Sequence, residues 1–265
     1  MSAISIKDVA AKAGVSPKTV SRVINGEAYV RPAVRDAVMK VVTDLDYRPN
    51  AHARSLSSSR SFLIALFFDD PSSGYAAEIQ LGAMSRCRHH GRHLVVEAID
   101  RSAPAWIEGM EATIDALRPA GVVLTAPVCD WPEVLHLLER RKVPFVSIAP
   151  DPELSASATV TIDDFAGARD MTRELIALGH KEIAFVEGIR THSAALKRLA
   201  GYRAAMAEAS LPVRDDQIQP GDFSFRGGLD AGETLLSASK RPSAVFAAND
   251  EMALGVLVSA LRMNV

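Results

Sequence analysis

The tightest constraint on how this chain of 265 residues can fold lies in the interval between Gly14 and Pro17, inside ISIKDVAAKAGVSPKTVSRVIN (4–25). Ser5 with Asp8 three residues on is a capping-box start. Ile6, Val9, Ala10 and Ala13 then share one face of a first helix. Gly14 ends that helix, because glycine takes the left-handed cap without steric cost. Ser16 caps a second helix, and Pro17 occupies its first position, where a missing N–H costs nothing. Val20, Val23 and Ile24 point inward, while Lys18, Ser21, Arg22 and Asn25 share the outer face at helical spacing. The pattern predicts a helix-turn-helix whose residues 17–22 enter a DNA major groove. An ordinary amphipathic hairpin with a solvated polar face has the same periodicity, so the residues that follow carry the decision.

Val34, Val38, Val41 and Leu45 mark a third helix that closes a small head. YRPN (47–50) breaks it, since the residue before a proline avoids the helical region. Asn50 can cap AHARSLSSSRS, a segment too short and polar to form a stable isolated helix. Charge divides at the same place. Residues 1–60 hold 10 Lys/Arg and 5 Asp/Glu, a net of +5, and the remainder holds 20 and 27, a net of -7. A basic module on an acidic body suits a phosphate-binding head carried by a domain that does not bind DNA.

AAKAGVSPKTVSRVING followed by DLDYRPNAHARSL resembles the DNA-binding headpiece of the lactose-repressor (LacI/GalR-type) family of bacterial transcription regulators. The resemblance implies a helix-turn-helix head over 1–48 and a hinge helix or linker over 49–61. DNA contacts would come from Ser16, Pro17, Lys18, Thr19, Ser21, Arg22 and Asn25, then Asn50, Ala53, Arg54 and Leu56. In the family the hinge segment becomes helical on DNA and pairs with its twin in the minor groove. Leu56 stands at the position that wedges between base steps. His52 is a less typical neighbour without an assigned role. Such a protein is a repressor that binds a palindromic double-stranded operator as a homodimer, with Lys18 and Arg22 suited to guanine and Pro17 limited to apolar contact.

From Phe62 the periodicity changes. FLIALFF (62–68) is a continuous apolar run, as expected of a parallel strand covered on both faces. Strands at 94–98, 121–126, 144–148 and 160–162 alternate with helices near 76–90, 105–117 and 131–141. A second series has helices at 165–178, 195–209, 227–238 and 251–262 with strands at 182–188 and 244–248. Two doubly wound α/β lobes follow, 62–160 and 161–265, with ligands expected between them beyond the carboxyl ends of the strands. By resemblance this is the family's periplasmic-binding-protein-like effector core. RLAGY places Arg198 where a cleft arginine bonds ligand oxygens. GDFSF places Phe223 where an aromatic stacks on the ligand. AANDEMALG places Asn249 and Asp250 in a hydrogen-bonding loop, and DDPSSGYAAEIQ (69–80) adds Ser72, Ser73 and Tyr75 as weaker candidates. Each has a plainer role open to it: a surface ion pair for Arg198, core packing for Phe223, a turn for Asn249. The mixture suits a sugar or sugar derivative, although purines satisfy the same chemistry.

Hydrophobic residues at 48% and charged residues at 23% describe an ordinary soluble globular protein. Cys87 and Cys129 lack metal spacing and read as reduced cytoplasmic thiols. No apolar run approaches membrane-spanning length and no export signal is evident, which argues against a periplasmic solute-binding protein and against a membrane partner. Nucleotide, nucleophile-elbow and metalloprotease motifs are absent, so neither a catalytic residue, a metal nor a cofactor is expected, and an enzyme is the weaker alternative. AVFAANDEMALGVLVSALRMNV (244–265) completes a strand and a helix. By resemblance a further strand and two returns to the first lobe should follow, so the second lobe is expected to be incomplete, with poor effector binding, weak dimerisation and an uncovered sheet edge. A compact variant with a repacked lobe is the alternative.

Overall fold

The computed structural model describes residues 4–24, 26–27, 29–47, 61–70, 74–151, 153 and 158–265. They divide into two compact units, 1–62 and 63–265. In the first, α1 (Ile6–Ala13), α2 (Pro17–Ile24) and α3 (Pro32–Asp44) surround a core of Val9, Ala10, Val20, Val23, Val38 and Tyr47. The local signals have the predicted geometry. Asp8 Oδ2 accepts the Ser5 backbone N–H at 2.8 Å, and Gly14 adopts φ 66°. These hydrogen bonds from the Ser5 hydroxyl and backbone hold the Asp8 carboxyl below its ordinary range. Pro32 opens α3 at a first-turn position, where its ring costs no hydrogen bond.

The second unit contains two parallel sheets. Strands β1 (Leu63–Phe68), β2 (His93–Ala98), β3 (Gly121–Thr125), β4 (Phe145–Ile148) and β5 (Ala158–Val160) form the first, in the order β2-β1-β3-β4-β5. Helices α4 (Gly74–His89), α5 (Trp106–Leu117) and α6 (Pro132–Arg140) connect them. Because both faces are covered, β1 is apolar throughout. Ala65 and Phe67 pack into one cluster with Met110, Leu124 and Val134, whereas Leu66 and Phe68 pack into the opposite one with Ala76.

The second sheet contains β6 (Ile183–Val186), β7 (Ile218–Gln219) and β8 (Ala244–Ala247), ordered β7-β6-β8. Helices α7 (Asp164–Ala177), α8 (Ser193–Glu208), α9 (Phe225–Ser237) and α10 (Asp250–Arg262) flank it. Its central strand β6 is wholly buried, with Phe185 stacked on Tyr202 at 5.1 Å. Burial raises the Tyr202 phenol to about 12, and its hydroxyl donates to the Ile183 carbonyl at 2.7 Å.

Two details differ from the sequence reading. The strand expected at 160–162 lies at Ala158–Val160, where all three residues are exposed. The two-residue β7, after a 3-10 turn at Asp215–Gln217, was not anticipated, since it is too short to show alternation and exists through pairing with β6. Among the described residues β8 is an edge strand. Beside it runs a groove of about 550 Å³, lined by Met171, Leu175, Val245, Ala253 and, at one end, Asp164, Arg198 and Asn249.

Candidate nucleic-acid and effector sites

In the head, Ser16 Oγ accepts the Thr19 N–H at 3.2 Å and lies 2.9 Å from the Thr19 hydroxyl, so the start of α2 is locally capped. Val20 and Val23 are buried. Pro17, Lys18 and Arg22 are exposed, and Thr19 and Ser21 are half-buried. The helix therefore presents a polar face with one ion pair, Arg22 Nε to Glu27 Oε2 at 3.5 Å. Asn25, Asn50, Ala53, Arg54 and Leu56, and with them the hinge segment, lie outside the described residues, as do Ser72 and Ser73.

In the body, groups at the carboxyl ends of the two sheets face each other. Glu251 Oε1, from the first turn of α10, accepts the Gly74 N–H that opens α4, at 3.1 Å. Tyr75, next in α4, faces Asp164 and Arg198 of the second lobe; burial, then the Asp164 carboxylate, pushes its phenol up. Arg198 is spent within the lobe. Its Nη2 reaches Asp164 Oδ1 at 2.8 Å and its Nη1 donates to the Ala248 carbonyl at 2.6 Å. The ion pair is largely buried, so its planar fork is held rigidly at the cleft's edge.

Asn249 is likewise committed. Its Oδ1 accepts the Met252 N–H at 3.0 Å, capping α10, and its Nδ2 donates to the Phe223 carbonyl at 2.8 Å. Phe223 has φ 66°, a left-handed conformation costly for a bulky residue. The ring covers Gly188 so closely that a Cβ there would stand 2.1 Å from it. Asp250 is exposed on the first turn of α10. The structure thus brings Tyr75, Arg198 and Asn249 to the two sheets' facing ends, with Phe223 held by Asn249.

Sequence reasoning missed three residues there. His192, the N-terminal cap residue of α8, lies with its ring 5.6 Å from Phe223. Asp69 and Asp130, at the ends of first-lobe strands, are near enough to act on its charge. Burial lowers the imidazole's pKa, and the two carboxylates partly offset that. Asp130 Oδ1 accepts the Asp151 N–H at 2.7 Å, and burial raises its carboxyl. Burial, then Asp130, raises the neighbouring Cys129 thiol, so it is no nucleophile. A lone histidine or aspartate at a strand's end gives no periodic signal, so His192 and Asp130 were not singled out, and Asp69, adjacent to Asp70, reads in the sequence as a solvated loop carboxylate or helix cap. No group of three or more His, Cys, Asp or Glu among the described residues could hold a metal ion, and no described helix is long and apolar enough to cross a membrane.

Two family profiles cover nearly the whole chain. "Bacterial regulatory proteins, lacI family" matches residues 5–50, and "Periplasmic binding proteins and sugar binding domain of LacI family" matches residues 61–265. The chain is 33% identical over 255 residues to catabolite control protein A of Priestia megaterium, covering 96% of this chain and 76% of that protein. It is 34% identical over 265 residues to the transcriptional repressor PurR of Vibrio campbellii, covering 98% and 77%. Its fold matches the lac repressor dimer bound to operator and the anti-inducer ONPF, with TM-score 0.83, 26% identity, and coverage of 100% of this chain and 79% of that one. It also matches the regulator CelR in complex with cellobiose, with TM-score 0.69, 31% identity and coverage of 98% and 78%. The chain belongs to the lacI family of bacterial regulatory proteins and is a cytoplasmic, sequence-specific DNA-binding transcriptional regulator, not an enzyme.

Proposed function

We propose that the chain represses transcription by binding a palindromic operator as a homodimer, under the control of a sugar-like effector bound between its two lobes. The observation that carries this reading is the capped α2, which buries Val20 and Val23 and leaves Pro17, Lys18 and Arg22 exposed on its outer face. Residues 17, 18, 21 and 22 read base edges, and Ser16, Thr19 and Asn25 support them at the phosphates. The head spans 1–48 and the hinge 49–61. Asn50, Ala53, Arg54 and Leu56 of the hinge contact the minor groove, with Leu56 as the wedge.

The lobes span 62–160 and 161–265. Tyr75, Phe223 and Asp250 meet the effector directly, with Ser72 and Ser73 from the first lobe's loop. Arg198 and Asn249, held by partners within the second lobe, shape its floor. The operator-bound dimer of the lac repressor and the cellobiose complex of CelR support these assignments by likeness. The effector acts by preferring one lobe arrangement over the other, since equal affinity for both would shift nothing. Selection of bound sites from random DNA, with and without a panel of sugars, tests the proposal. The expected result is a two-fold symmetric site whose occupancy responds to a sugar. Enrichment of unrelated sequences, or of none, would overturn it.

A further inference from the structure

We propose that the amino end of the first lobe's sheet is a second DNA-binding surface, which grips backbone phosphates flanking the operator while the head reads the site. This rests on the operator-binding reading above, which binding to a minimal site tests separately.

The two ends of that sheet carry opposite charge. Parallel pairing sets the amino ends of β1 to β4 along one edge, with Leu63 beside His93, Ile64 beside Gly121 and Val122 beside Phe145. The segments leading into β2, β3 and β4 at this edge are 86–92, 118–120 and 140–144, and together they hold seven Lys/Arg and no Asp or Glu. The loops at the opposite end, 69–73, 99–105 and 126–131, hold four Asp/Glu and one Arg. The second lobe shows no such excess. Its segments leading into β6, β7 and β8, at 178–182, 209–217 and 238–243, hold four Lys/Arg and three Asp/Glu. There Glu182 takes up both Arg214, at 2.6 Å, and Lys240, at 2.8 Å.

At the basic edge, Arg140 pairs with Glu111 and Arg141 with Asp115, each at 2.9 Å. Arg86, Arg88, Arg118 and Lys142 are exposed and have no carboxylate partner among the described residues. Like charges gathered at one end of an acidic body repel one another, and folding leaves that repulsion standing. A polyanion relieves it. Chain connectivity selects which one. The head is joined to the body through the chain that enters at Leu63, the residue paired with His93. The basic edge is therefore tied to the module that holds the operator, and a short tether raises the local concentration of DNA beside it to about millimolar. Arginine and lysine on phosphates need no base sequence, so this surface adds affinity without changing the site that the head selects. An acidic protein partner has no such link to the edge.

The test uses the full chain and the selected operator, carried on duplexes with about 2 or about 12 base pairs of flank on each side, across about 50–300 mM salt. Fluorescence anisotropy should show the longer duplex binding about tenfold tighter at the lowest salt, with a salt slope steeper by about 0.9 for each phosphate engaged. Arg86→Gln, Arg88→Gln, Arg118→Gln and Lys142→Gln combined should abolish that advantage. Unchanged affinity for the shorter duplex will show that this variant is folded and its head intact. A control that removes the same charge from the second lobe, by Lys181→Gln, Lys197→Gln, Arg203→Gln and Arg241→Gln, should keep the advantage. An advantage that survives in the first-lobe variant, or that falls equally in the control, overturns the inference. So does equal affinity of the native chain for both duplexes, which would leave the edge to an acidic protein. Failure to bind the shorter duplex strikes the operator reading, whereas indifference to the flanks strikes this inference alone.

Discussion

Arg22 and Glu27 form an exposed ion pair at the end of α2. Such pairs contribute about 0–1 kcal/mol, so releasing the guanidinium to a base edge costs little. Arg22→Ala should cost about 1–3 kcal/mol on the selected site and flatten base preference at one position, as read by competition gel shift. An equal loss on every sequence would mark a phosphate contact instead. Asn249 does two jobs, capping α10 and tethering the left-handed Phe223. Asn249→Ala should destabilise the body by about 1 kcal/mol through the lost cap. It should also weaken effector binding by more than that loss of stability explains, because Phe223 is then free to leave its costly conformation. Urea unfolding and titration of one preparation would separate the two effects. Unchanged affinity would show that the tether does not matter to the ligand.

At the scale of elements, α9 and α10 touch backbone to backbone. A Cβ on Gly228 would stand 2.2 Å from the Met252 carbonyl oxygen, and one on Gly255 would stand 2.3 Å from that of Phe225. Gly255→Ala must push the helices apart, at a cost of about 1–3 kcal/mol. Gly82, exposed in α4 with nothing within 4 Å, is the control. Its alanine variant should stabilise by roughly 0.5–1 kcal/mol, because a helical glycine sacrifices more chain entropy than alanine does. Chemical unfolding of the pair distinguishes close packing from helix propensity, and equal effects would refute the packing account. The elements themselves were legible: every helix read from FLIALFF onward has its counterpart, because each fills the interval between two apolar strand runs with residues that can continue a helix. The two-residue β7 lacked enough residues to make a pattern.

For the molecule as a whole, His192 links folding to pH. Burial sets its pKa in the folded chain below the ordinary 6.5. The unfolded chain therefore takes up the proton first, and stability falls as pH drops through that value toward the folded pKa. Asp130 runs the other way. Its carboxyl is raised above 3.8, so the folded chain protonates first and acid relieves a cost. The melting temperature of the body should thus fall between about pH 7 and 5. His192→Gln should flatten that slope, and Asp130→Asn should steepen the remaining acid loss. An identical pH profile for the histidine variant would place the loss elsewhere.

The chain's own order determined the three-helix head, the alternation of strands and helices, and the outward face of α2 that carries Arg22, whereas Arg198, Phe223 and Asn249 were legible only through resemblance to a family. Caps, turns and apolar periodicity act over a few residues, and they read the same before and after folding. Tertiary structure decided which polar atoms remain available for a ligand. Asp164 lies 34 residues before Arg198, yet folding sets them in one ion pair and makes the expected ligand arginine a fixed wall. Gly74 and Glu251 come from two lobes and are far apart in the chain, and their hydrogen bond depends on how two sheets close on each other. Hydrogen-bond partners are a property of distance in space, and neither spacing nor composition encodes them.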